Sequence, residues 1–235
     1  YNLTVSNSCQ TVATATSTPT FTPSNTPLAT NTPTPTQTPC GGYANYTVAT
    51  AQATATIIPG TDDIGLNCIL CRATIQLPFP FQLYDRTFTE VSVGDDGTMQ
   101  FLSSRTTYNT CLPYGQFDYA IMPFWADLEL DGPGKGIFTT VVGTAPNRTF
   151  VIEWRAEYTF TSLPANFEVL LYENAPNQRF DVIYGDLAGL NGDRSTVGVQ
   201  RGTGELFTQY ACRTAGSQTS GMRLQFSLPP CQSNT

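Results

Sequence analysis

The chain has 235 residues, with 11 Lys and Arg against 18 Asp and Glu, no histidine, and a net charge of −7. That balance excludes a nucleic-acid binder, which needs a basic footprint. The missing histidine removes the commonest general base and metal ligand together, so an enzyme built on this sequence would have to work with carboxylates alone. Nothing from Tyr1 to Thr61 is charged, and the packed core is expected beyond Asp62.

Tyr1, Leu3 and Val5 alternate with polar residues, and Val12 follows Cys9, which predicts a short strand with no nearby partner. From Pro19 to Pro39 the proline spacing forbids helix and sheet ladders but suits polyproline II. Thr18, Thr20, Thr22, Thr26, Thr32, Thr34, Thr36 and Thr38 make this tract a candidate O-glycosylated stalk, the alternative being an ordinary flexible linker.

After Cys40-Gly41-Gly42, the alanines at 49, 51, 53 and 55 and Ile57 alternate with polar residues, predicting one long strand that Pro59-Gly60 ends. Short strands are then expected at Ile75–Tyr84, Phe88–Val93, Met99–Phe101, Tyr119–Leu130, Ile137–Val142, Phe150–Tyr158, Phe167–Tyr172, Phe180–Tyr184, Thr196–Gln200 and Arg223–Phe226. No segment keeps a helical period. The expected fold is an all-β antiparallel sandwich over residues 41–235, preceded by a strand within residues 1–18 and a linker over residues 19–40.

Seven cysteines (Cys9, Cys40, Cys68, Cys71, Cys111, Cys212 and Cys231) indicate an oxidising compartment. Sequons at Asn2, Asn45 and Asn147 agree with it. No apolar run reaches the roughly 18 residues of a membrane span. A chain opening on Tyr1 reads as a secreted protein whose leader has been removed. The odd cysteine count implies one thiol that is free or bonded to another chain; Cys9 is the candidate, with Cys40 pairing locally as the alternative. Cys68-Ile69-Leu70-Cys71 lacks the second ligand pair of a zinc site and the βαβ setting of a redox motif. Its cysteines are expected to bond different partners. Cys111 with Cys68 or Cys71, and Cys212 with Cys231, are the pairings considered.

Asp127, Glu129 and Asp131 share one strand face and are the candidate calcium ligands, against a solvated strand end before a Gly-Pro turn. No other cofactor is expected. Asp95-Asp96-Gly97 reads as a hairpin turn. Trp125 and Trp154 lie in strand-like runs and are expected in the core rather than on a sugar-binding platform.

The same strands carry a likeness. IQLPFPFQLYDRTFTEVSVGDDGTMQF, YAIMPFWADLEL, PNRTFVIEWRAEYTF, NFEVLLYENAPNQRFDVIYGDL and STVGVQ, in that order, resemble the nidogen-type (NIDO-like) extracellular domain as it occurs in bacterial surface proteins. The resemblance implies surface display, adhesion and matrix contacts rather than catalysis, and it names no partner.

Magnitudes frame the N-terminal part. As polyproline II, the stretch from Pro19 to Pro39 spans about 65 Å at a rise of ~3.1 Å per residue. A domain of roughly 175 residues is about 40 Å across. The strand therefore reaches past its own domain, and an isolated strand is unstable in water. Insertion of Tyr1, Leu3, Val5 and Val12 into a neighbouring copy would be heterologous and would propagate as a filament. The expected function is a secreted or cell-surface filament subunit whose partners are identical copies, carrying glycans, with no nucleic-acid partner and no membrane span. The alternative is a monomeric, stalked adhesive or carbohydrate-binding module. An accessory domain of a secreted hydrolase ranks below both.

Overall fold

The computed structural model describes residues 44–51, 54–159 and 161–230. The donor-strand residues Tyr1, Leu3, Val5 and Val12, the Asn2 sequon, the Thr/Pro tract, Cys9, Cys40 and Cys231 lie outside the described residues.

Two antiparallel sheets form a sandwich. The larger is ordered β1 (Thr47–Ala51), β14 (Arg223–Ser227), β11 (Phe180–Tyr184), β10 (Leu163–Tyr172), β9 (Thr149–Tyr158), β8 (Gly136–Val142) and β2 (Asp62–Asp63), with β7 (Leu128–Glu129) also paired to β9. The smaller is ordered β13 (Leu206–Cys212), β12 (Thr196–Arg201), β6 (Ala120–Trp125), β5 (Met99–Gln100), β4 (Arg86–Gly94) and β3 (Arg72–Leu83). Alternation along the strands fills the space between them. On β10, Phe167, Val169 and Leu171 face inward, opposite Trp154, Ile152 and Phe150 of β9. Trp154 stacks on Phe167 with centroids 5.1 Å apart. The buried polar tips find partners across the sandwich: Trp154 Nε1 donates to Gly94 O at 2.8 Å and Tyr184 OH to Pro123 O at 2.8 Å.

Both outer faces carry a second apolar patch. On β6 the run Ala120-Ile121-Met122-Pro123-Phe124-Trp125 is buried on both sides. Ala120, Met122 and Trp125 pack outward under Leu112 and Phe117 of the preceding loop. A strand buried on both faces reads as a continuous apolar run. On the larger sheet, Val151, Leu170 and Ile183 are covered by Ala55, Ile57 and Ile58.

That cover corrects the long-strand expectation. The ladder of β1 stops at Ala51, and residues 54–60 run as a strap across the outer face instead. Ala55 N donates to Gly221 O at 3.0 Å, Ile58 N to both oxygens of Glu168 at 3.0 and 3.2 Å, and Gly60 N to Glu153 Oε2 at 2.9 Å. An extended strap and a ladder strand share a period of two, so the alternation could not tell them apart. The strand expected over Tyr119–Leu130 is likewise two strands, because the chain leaves the smaller sheet after Trp125 and joins the larger at Leu128. β13 had no expectation at all.

The disulfides differ from the pairings considered. Cys68 bonds Cys71, and Cys111 bonds Cys212 across a separation of 101 residues. No helix among the described residues is long and apolar enough to cross a membrane.

Candidate functional site

The turn Asp95-Asp96-Gly97 joins β4 to β5, as its sequence predicts, with Gly97 at φ +68°. A Cβ there would lie 2.2 Å from Phe124 O, so the position admits only glycine. Unlike an ordinary hairpin tip, this turn is buried: Asp95 is 1 % and Asp96 4 % exposed. The cover is remote in sequence. The disulfide-closed loop Cys68–Cys71 folds over it, with Leu70 N donating to Asp95 Oδ2 and Asp95 N to Cys71 O at 3.1 Å. Leu70 takes φ +57°, a conformation costly for a leucine, and its side chain is 68 % exposed.

A second loop faces this one. Arg105 O accepts from Arg72 Nη1 at 3.0 Å and from Gln100 Nε2 at 2.7 Å. Thr107 O accepts from Trp125 Nε1 at 3.0 Å, and Asn109 Nδ2 donates to Arg194 O at 3.0 Å. Between these fixed neighbours Tyr108 stands 74 % exposed. Leu70, Tyr108 and Thr107, with Asp95, Asp96 and Asp127, line a cleft of 260 Å³.

Charge in the cleft is unbalanced. Three carboxylates line it, and one guanidinium supports them from below: Arg72 Nη1 donates to Asp96 Oδ1 at 3.0 Å and to Thr98 Oγ1 at 2.9 Å. Burial lowers the Arg72 pKa despite the neighbouring carboxylate. Asp96 Oδ1 also accepts from Thr98 Oγ1 at 2.7 Å, whereas Asp96 Oδ2 has no hydrogen-bond partner among the described residues. Burial raises the Asp96 pKa against the pull of Arg72. Burial and then the charge of Asp96 push Asp95 up to about 6. Asp127, half-buried, accepts from Thr159 Oγ1 at 3.3 Å.

The predicted calcium ligands do not converge. Asp127 lines the cleft, Glu129 sits in register with Glu157 on β9, and Asp131 is exposed. Lys135 Nζ lies 2.6 Å from Glu157 Oε1. Among the described residues no group of three or more Cys, Asp or Glu is arranged to hold a metal ion. Trp125 and Trp154 are both fully buried, as expected. Asn45 and Asn147 are exposed, the latter in the turn between β8 and β9. Sequence reasoning missed Leu70 and Tyr108; Leu70 follows Ile69 in a short loop and Tyr108 stands among polar residues, with no period to mark either.

No curated protein and no solved structure matches the chain. Residues 43–229, nearly all of the described sandwich, match the NIDO-related family. The antiparallel sandwich, the two disulfides among its described residues and that match agree, and the chain belongs to the NIDO-related family of extracellular β-domains.

Proposed function

We propose that the protein is a non-catalytic adhesive module, displayed at the cell surface on its Thr/Pro tract, and that the acidic cleft is its contact site. One observation carries this reading: Leu70 and Tyr108 stay exposed, on backbone fixed by hydrogen bonds, either side of buried carboxylates. Exposed large apolar side chains gathered at a cleft mark a place for a partner. O-linked glycans on the tract and N-linked glycans on the exposed Asn45 and Asn147 would keep the protein soluble. The test compares the full chain with a Leu70→Ser/Tyr108→Ala variant for retention on a panel of coated extracellular proteins and polysaccharides. Loss of retention at an unchanged thermal midpoint supports the reading; equal retention on every coating overturns it.

A filament remains the second reading, supported by the edge strand β13. Beyond its ladder with β12, β13 makes no backbone–backbone hydrogen bond among the described residues. The opposite edge, β3, carries Pro78 and Pro80, which blunt it against pairing. A neighbour's N-terminal strand would lengthen the smaller sheet at β13 rather than complete a core, because the largest core side chains are already fully buried. Sedimentation of the intact chain against one lacking residues 1–40 tests it. Polymers from the intact chain alone support strand addition, and equal assembly of both ends it.

A further inference from the structure

The geometry points to the chemistry of what enters the cleft: we infer that it takes a primary ammonium on an aliphatic stem, a lysine side chain of a partner protein. This rests on reading the cleft as the contact site. Asp95, Asp96 and Asp127 line the cleft, and Arg72 is the cation bonded to its floor. Asp96 Oδ2 is buried and lacks a donor among the described residues. A buried carboxylate oxygen without a partner is costly, and an incoming cationic donor removes that cost.

Size and rim narrow the class. At 260 Å³ the cleft falls below the roughly 300–1,000 Å³ that accommodates a drug-sized ligand, so it suits one side chain rather than an oligosaccharide. A neutral sugar would also leave the excess of carboxylates unbalanced. Calcium needs about six to eight oxygens closing around it, and the described acidic groups are not so arranged. An ammonium asks less: three donors that can be shared among carboxylate and hydroxyl oxygens, here those of Asp96, Asp127 and Thr107. The exposed faces of Leu70 and Tyr108 then receive the methylene stem, and the tyrosine ring attracts the cation itself. The planar, five-donor guanidinium of arginine fits a fork of paired acceptors better than a narrow floor with one free oxygen.

The experiment titrates the full chain with Nα-acetyl-lysine N-methylamide, followed by NMR shifts and calorimetry. The Nε-acetylated analogue, calcium chloride and a neutral trisaccharide serve as the other arms. Saturable millimolar binding of the lysine amide is expected, at least tenfold weaker for the Nε-acetylated form. Asp96→Asn removes the free acceptor but exposes Arg72 to misfolding, so Tyr108→Ala and Asp127→Asn provide the independent check. Each should weaken binding three- to tenfold at an unchanged thermal midpoint. Equal affinity for the acetylated analogue, or saturable binding of calcium or trisaccharide but not of lysine amide, overturns the inference. If the lysine amide fails while Leu70→Ser/Tyr108→Ala still abolishes retention on coated surfaces, the ammonium assignment falls and the cleft stands. If lysine binding ignores Tyr108→Ala and Asp127→Asn, the ligand sits elsewhere and the assignment falls as well.

Discussion

Asp181 and Asp96 are both buried carboxylates held by arginine, in two regions of the sandwich, and their surroundings balance in opposite ways. Asp181 lies on the outer face of the larger sheet. It accepts from Arg179 at 2.7 and 2.8 Å, from Arg223 Nε at 2.7 Å and from Tyr172 OH at 2.8 Å. Burial pulls its pKa up, but those donors outweigh burial and hold it below the ordinary carboxylate range. Asp96 shares one arginine with a second acidic neighbour, Asp95, and keeps one oxygen without a donor among the described residues. A carboxylate with cations to spare ties strands together. One with a single cation keeps an oxygen that no described residue satisfies.

Substitutions can break that contrast, and the largest effect is expected at Asp181. Asp181→Ala leaves two arginines without their anion and should lower unfolding free energy by about 3 kcal/mol in a denaturant titration, the low end for breaking a buried pair. Both arginines keep roughly a third of their exposure, which softens the loss.

Glu168 sharpens the comparison as an intermediate case. It faces Ile58 N on the strap, Glu153 on β9 and Arg223 on β14; burial, then the charge of Glu153, pushes it up from 4.5 to about 8. A carboxyl raised in the folded state contributes its stability below pH 4.5 and loses it as pH rises through about 8. Glu168→Gln should therefore match the parent near pH 4 and exceed it by about 2 kcal/mol at pH 9, read from thermal midpoints across that range. A gain that is equal at both pH values would show that the carboxylate does not titrate there.

Asp95→Asn tests the cleft with the same sign and a smaller size. Relief of the buried charge and of its repulsion with Asp96 outweighs the loss of one of the two backbone N–H bonds that Asp95 accepts, from Leu70 and Asp96. The fold should therefore gain about 1 kcal/mol at pH 7. The gain should shrink as pH falls below about 6, where the folded carboxyl takes up its proton, and vanish below 3.8, where the unfolded one does too. A loss at pH 7 would place Asp95 with Asp181, as a group the fold requires charged. Smallest of all, Tyr108→Ala should move the unfolding midpoint by less than about 0.5 kcal/mol, since the ring is largely in water. A larger loss would mean the ring packs rather than waits for a partner.

The strands were readable because period-two alternation and Gly, Pro, Asn and Asp punctuation are local. Phe150–Tyr158 and Phe180–Tyr184 lie within a residue of the observed bounds. β13 escaped because it is a half-covered edge with only Ala211 fully buried, so it shows no clean alternation. The cleft escaped for a different reason. Asp95-Asp96-Gly97 has the letters of a solvent turn, and only a loop some 25 residues earlier makes it an interior one. The Cys68–Cys71 bond was likewise hidden, because spacing constrains which cysteines could pair without choosing among them.

The strap over Val151, Leu170 and Ile183, and the loop over Ala120, Met122 and Trp125, shutter the middle of each broad side of the molecule. At those two patches the strands are closed to direct stacking against another sheet. Anything that approaches those broad sides meets the strap and the loop first, so a change in either would register there before it reached the strands beneath.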